Sequence, residues 1–203
     1  MEKLNSFKVQ KKLREKEVSV FSPLDFQRIF GVSYFAAKNF INRHTTTGLF
    51  TKIRNGLYVV TDAKPPNFIL ANKIYEPSYI SFETALSYYN IIPETIYTVF
   101  SATVKPTREF DAMDISYVYH RIKKQLFFAY TARKQGGMTF LVAEPAKALV
   151  DFLYFVDLRK KDMLERIDTR EVKKKDAIGV AKYYNRSSVV KRITELYDKQ
   201  KTH

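Results

Sequence analysis

Apolar residues recur at helical spacing through the first third of the chain and at strand-like spacing through the middle. Residues 3–16 read as a first helix, with Leu4 and Phe7 starting a modest apolar stripe. Val18, Val20 and Phe21 form a short extended piece. Ser22-Pro23 opens a second helix, with serine as N-cap and proline in the first helical position; Leu24, Phe26, Ile29 and Phe30 supply its apolar contacts, and Gly31 stops it. Ser33 caps a third helix. At about 100° per residue, Ala36, Ala37, Phe40, Ile41 and His44 fall within an arc of roughly 140°, the predicted core face. The opposite face collects Phe35, Lys38, Asn39 and Asn42, with Tyr34 and Arg43 at its margins and no carboxylate. Two strands follow, Phe50–Arg54 and Leu57–Val60, joined at Asn55-Gly56, a dipeptide that suits a tight hairpin in which both turn residues take positive φ.

Helix, short strand, helix, tight turn, helix and hairpin, in that order, predict a winged helix-turn-helix. In that arrangement the third helix enters the major groove, and the wing lies along the backbone or in the minor groove. The candidate DNA contacts are Ser33, Lys38, Asn39, Asn42 and Arg43 from the helix, with Lys52 and Arg54 from the wing. Lys38 and Arg43 suit phosphate or guanine, Asn39 and Asn42 suit adenine, and Phe35 suits a thymine methyl. The same module can also dock a protein, its polar face merely solvated.

Ala63-Lys64-Pro65-Pro66 reads as a linker, which gives a DNA-binding domain over 1–64 and a second domain over 65–203. In the second, PNFILANKIYEPS predicts a short helix ending before Pro77, and Ser81 caps another that Ile91-Ile92-Pro93 ends. YTVFSATV, MDISYVYHRI and QLFFAYTARK then read as strands, with MTFLVA as a fourth after the Gln135-Gly136-Gly137 turn. Their short spacing predicts hairpins and an antiparallel sheet. Glu144-Pro145 opens an apolar helix whose Leu149, Val150, Leu153 and Tyr154 would pack on that sheet. Helices are expected over MLERID, VKKKDAIGVAKYYN and SVVKRITELYDKQ, the last capped by Ser187 or Ser188. The fold class is therefore α+β.

Composition narrows the chemistry. With 45% hydrophobic and 15% aromatic residues in a chain of 203, the sequence belongs to a globular protein. It holds no cysteine, and His44, His120 and His203 are scattered, so neither a disulfide framework nor a metal site is expected. MEKLNSFKVQKKLREK lacks the apolar centre of a signal peptide, and ALVDFLYFV is too short to span a bilayer and contains Asp151. A soluble cytoplasmic protein without membrane partners is expected. The net charge is +14, and its distribution is uneven. Residues 1–64 hold 12 Lys/Arg against 5 Asp/Glu, residues 65–158 hold 9 against 9, and residues 159–203 hold 14 against 7. A neutral middle between basic ends suggests a polyanionic partner. Lys173, Lys174 and Lys175 form a possible partner-binding run, although such a run is usually a solvated face.

A nuclease could be built from Asp111, Asp114, Glu144 and Lys147, two carboxylates holding Mg²⁺ and a lysine beside the phosphate. Against it, Glu144 precedes a proline at a helix start, and Lys147 falls in the first helical turn. No phosphate loop, nucleophile elbow or histidine-base arrangement is present, so no catalytic residue and no cofactor are expected. The aromatic-rich middle leaves RNA stacking open, although aromatics on strands and helices are more often core.

GLFTKIRNGLYVV, YISFETALSYYNIIPETIYTVFSAT and FLVAEPAKALVDFLY, within residues 48–155, resemble the AbiE-type antitoxin family of bacterial abortive-infection systems, a type IV toxin–antitoxin class. The resemblance implies an amino-terminal winged helix that binds inverted repeats in its own promoter and represses the operon. It also implies a carboxy-terminal domain that counteracts a nucleotidyltransferase-like toxin, directly or indirectly. Palindromic operators usually engage two copies of a helix-turn-helix protein, so two protomers per operator are expected. The DNA-reading positions carried over are Ser33, Lys38, Asn39, Asn42, Arg43, Lys52 and Arg54. A stand-alone regulator without a toxin is the alternative.

Overall fold

The computed structural model describes residues 4–200, so the start of the predicted first helix at Lys3 lies outside the described residues, as does His203. The protein is mixed α+β and divides into two compact units, residues 1–74 with 134–138, and residues 75–133 with 139–203.

In the first unit, α1 (Ser6–Glu15) starts where the Asn5 side chain accepts from the Phe7 amide at 2.8 Å. Its inward residues are Val9 and Leu13, and Leu4 packs against the same core as expected, while Phe7 is exposed and falls outside the stripe. Strand β1 (Val20–Phe21) leads to α2 (Pro23–Phe30), which opens with a reciprocal capping box: the Asp25 amide donates to Ser22 Oγ, and Asp25 Oδ2 accepts from the Ser22 amide. Gly31 ends α2 in the left-handed region at φ 64°, which glycine adopts without Cβ strain. Only Gly31, Val32 and Ser33 separate α2 from α3 (Tyr34–Thr46).

Strands β2 (Phe50–Arg54) and β3 (Leu57–Val60) form the expected hairpin, and β1 adds to it in the order β1-β3-β2, all antiparallel. The turn departs from expectation. Gly56 alone of the pair has positive φ, and the register shifts between Lys52 and Arg54. That irregularity does the work assigned to a second left-handed residue. The core is a cluster of rings and aliphatics including Phe21, Phe26, Phe40, Ile41 and Phe50. Phe21 meets Phe50 edge-on at 5.0 Å, and Phe26 stacks on Phe40 at 5.5 Å. Helix α4 (Asn67–Ile74) completes the unit.

The second unit holds β4 (Ser78–Ile80), α5 (Phe82–Tyr88), β5 (Val99–Thr103), β6 (Arg108–Ala112), β7 (Ile115–Arg121), β8 (Tyr130–Gln135, whose last two residues cluster with the first unit) and β9 (Met138–Ala143). The sheet order is β6-β7-β5-β4-β9-β8. The sheet is mixed, not antiparallel as the spacing suggested: β5 pairs parallel with β7, and β4 parallel with β9. The β5–β7 pairing follows from β6, a short edge strand of sequence REFDA in which only Phe110 and Ala112 are half-buried and the charged side chains are exposed. The chain runs out to that edge and turns back, which inserts β7 between β6 and β5.

Helix α6 (Pro145–Asp157) is buried on every side from Lys147 to Val156, as a helix apolar all round must be. It contacts α5, α7 (Lys174–Lys182) and α8 (Ser187–Gln200). MLERID forms no helix. It runs irregularly, with Ile167 and Thr169 buried and the Asp168 amide bonded to the Ile91 carbonyl at 2.7 Å. Among the described residues, no helix is long and apolar enough to cross a membrane.

Candidate nucleic-acid interface

Ser33 caps α3 by accepting from the Ala36 amide at 3.2 Å, so its side chain sets the helix start as well as lying on the surface. Ala37, Phe40 and Ile41 are buried, and Ala36 and His44 are half-buried beside them, the face that the periodicity predicts. Tyr34, Phe35, Lys38, Asn39, Asn42, Arg43 and Thr46 are exposed. At the far end Thr45 and Thr46 turn their hydroxyls back onto the Ile41 and Arg43 carbonyls, at 2.8 and 2.6 Å.

The two cations of the β2–β3 hairpin differ. Lys52 is exposed on β2. Arg54 is half-buried; its Nε donates to the Ile74 carbonyl at 2.7 Å and its Nη1 to the Asn55 carbonyl at 2.8 Å. Two of the five Arg54 donors therefore tie the hairpin to the end of α4 and to its own turn, so this side chain also has a structural role.

No aspartate or glutamate occurs between Asp25 and Asp62, whereas Arg28, Lys38, Arg43, Lys52 and Arg54 all do. Asp25 itself is occupied, because its Oδ2 also accepts from Ser22 Oγ at 2.7 Å. The α3 surface thus presents cations and amides with no carboxylate on its own helix or on the hairpin to oppose a polyanion.

Elsewhere the predicted residues scatter. Lys173 stands exposed at the N-cap of α7, Lys175 is exposed, and Lys174 pairs with Asp198 at 2.9 Å. The nuclease constellation is not assembled. Lys147 is fully buried and bonded to Asp151 on its own helix, whereas Asp111, Asp114 and Glu144 are exposed. No group of three or more His, Asp or Glu side chains suited to a metal ion occurs among the described residues.

Sequence reasoning missed the network around Lys147. Asp151 accepts from Lys147 at 2.6 Å, from Tyr79 at 3.0 Å, from Ser81 at 2.8 Å and from Tyr184. Ser81 stands at the N-cap of α5 as expected, but its hydroxyl goes to Asp151 and makes no cap bond. Burial lowers the Lys147 pKa, and Asp151 opposes that shift; burial and the Asp151 charge raise Tyr79 and Tyr184 well above the usual phenol range. The signal in the sequence was a lysine and an aspartate four apart inside an otherwise apolar helix. With no opening to solvent, the network is a satisfied core feature. No protein-family model matches the chain, and no curated protein matches it.

Proposed function

We propose that the protein is a DNA-binding transcriptional repressor whose first unit is a winged helix-turn-helix. The carrying observation is the exposed, carboxylate-free face of α3, with Lys38 and Arg43 flanking two asparagines, one short turn after α2. The β1-β3-β2 sheet after a three-helix run supports the same reading, with the β2–β3 hairpin as the wing and Lys52 as its free cation. A cationic, hydrogen-bonding helix of this kind suits the major groove. A palindromic operator would take two protomers.

The test is binding of the full-length protein to duplexes from its own upstream region over a range of salt concentrations. Affinity should fall steeply with salt, and Lys38→Ala with Arg43→Ala should weaken it at every sequence. Binding that does not respond to ionic strength would end the reading.

For the second unit, the resemblance of residues 48–155 to AbiE-type antitoxins supports neutralisation of a nucleotidyltransferase-like toxin. Co-expression with the protein encoded next to it checks this: rescue of growth that persists in the Lys38/Arg43 variant separates neutralisation from repression. Failure of rescue leaves a stand-alone regulator.

A further inference from the structure

We infer that α3 reads A·T base pairs, with Asn39 and Asn42 on adenine edges and Phe35 on a thymine methyl. The inference rests on the DNA-binding reading above and names what that site selects.

Phe35, Asn39, Asn42 and Thr46 stand at i, i+4, i+7 and i+11. On an α-helix they form one stripe, within an arc of about 60°. Phe35 is 73% exposed, and its ring, like the Asn39 and Asn42 amides, is without a partner among the described residues. The Thr46 hydroxyl is spent on the Arg43 carbonyl, so the stripe offers one phenyl ring and two free amides. Lys38 and Arg43 lie on opposite sides of it, roughly 60° and 80° away from the Phe35 line. Cations so placed face the two walls of a groove, where the phosphates are, and not its floor.

The floor is left to the stripe. An asparagine amide pairs bidentately with adenine N6 and N7 in the major groove, and an apolar side chain meets the C5-methyl that only thymine carries there. Both are features of A·T pairs. The spacing also fits: Phe35 to Asn42 is roughly 10.5 Å along the axis, about three base-pair steps. A phenyl ring that exposed beside two amides gains little in water; against a thymine methyl it buries apolar area. No aspartate or glutamate occurs between Asp25 and Asp62, which removes the carboxylates that pair best with cytosine N4.

The experiment is selection of binding sites by the full-length protein from a randomised duplex library. The selected duplex is then remade with deoxyuridine for each thymine, or 7-deazaadenine for each adenine, in turn. The expected result is an A·T-centred half-site in which removing one methyl weakens wild-type binding about fourfold and removing an adenine N7 weakens it about tenfold. Phe35→Ala should bind the thymine and uracil duplexes equally, and Phe35→Leu should keep part of the preference. Neither should change the melting temperature, since Phe35 carries no core contact. A G·C-centred site, or a thymine preference that survives Phe35→Ala, overturns the inference while DNA binding stands. No enrichment of any sequence, with no salt-sensitive duplex binding, overturns both.

Discussion

Lys147 and Asp151 stand one turn apart in α6, with Nζ 2.6 Å from Oδ1 and neither side chain exposed to solvent. The ammonium also lies over the rings of Tyr79, Phe128 and Tyr184, between 5.0 and 5.6 Å from their centroids. A pair this deep is held by its satisfied bonds, not by net Coulomb gain. Lys147→Met should destabilise by about 3–5 kcal/mol, because it breaks a buried pair by removing one partner. Lys147→Met combined with Asp151→Leu should recover much of that loss. Denaturant melts of the two variants decide it; a double variant as unstable as the single one would contradict the account.

Lys38 and Arg43 should separate from Arg54 in experiment. Replacing both exposed cations should leave the melting temperature unchanged and reduce the salt slope of duplex binding by about two, one per lost phosphate contact. Arg54→Ala should lower stability instead, since the Ile74 carbonyl loses its donor. Thermal melts and salt titrations on the same three preparations distinguish the two behaviours.

Parts of this division were legible in the residues and parts were not. The β2–β3 hairpin and the buried face of α3 follow from local alternation and helical period, so both appear in the sequence with their bounds. The role of Arg54 was invisible, because its partner is a backbone carbonyl twenty residues on, and a carbonyl has no residue type to betray it. The parallel pairing of β5 with β7 was hidden for a related reason: it depends on REFDA serving as an edge strand, and with only Phe110 and Ala112 apolar among charged residues that stretch reads as a loop. MLERID failed the other way. Its helical spacing is genuine, but burial of Ile167, and of Thr169 just after it, in an irregular run competes with it.

His120 should make the second unit sensitive to acid. Its ring stacks on Phe100, meets Phe82 and Phe155, and its buried Nε2 finds no hydrogen-bond partner among the described residues. Burial first, then the Lys161 and Lys160 charges, bring its pKa down from 6.5 to about 4. Between those values the unfolded chain binds a proton that the folded one refuses, so stability falls as pH drops from 6.5 to about 4. His120→Phe should flatten that part of the stability–pH curve, read from melting temperatures across the window. An unchanged slope would place the acid sensitivity elsewhere.

Gly31 should resist substitution for reasons of backbone alone. A methyl group added there would meet nothing within 4 Å, yet φ is 64°. Gly31→Ala should cost about 1–2 kcal/mol, the left-handed penalty of an L-residue. Gly31→Asn should cost less, because asparagine tolerates that region. Denaturant titration of the two variants gives the ordering.

Residues 134–138 cluster with the first unit although the chain on either side of them clusters with the second. The amino-terminal unit is therefore not a detachable cassette. A gene fragment ending at codon 74 would encode it with one of its pieces missing, and a chimera that grafts it onto a foreign partner would have to carry a second, distant insert. A single crossover that exchanges the amino-terminal unit would be penalised in this architecture, whereas point changes at exposed positions such as Asn39 and Asn42 would not.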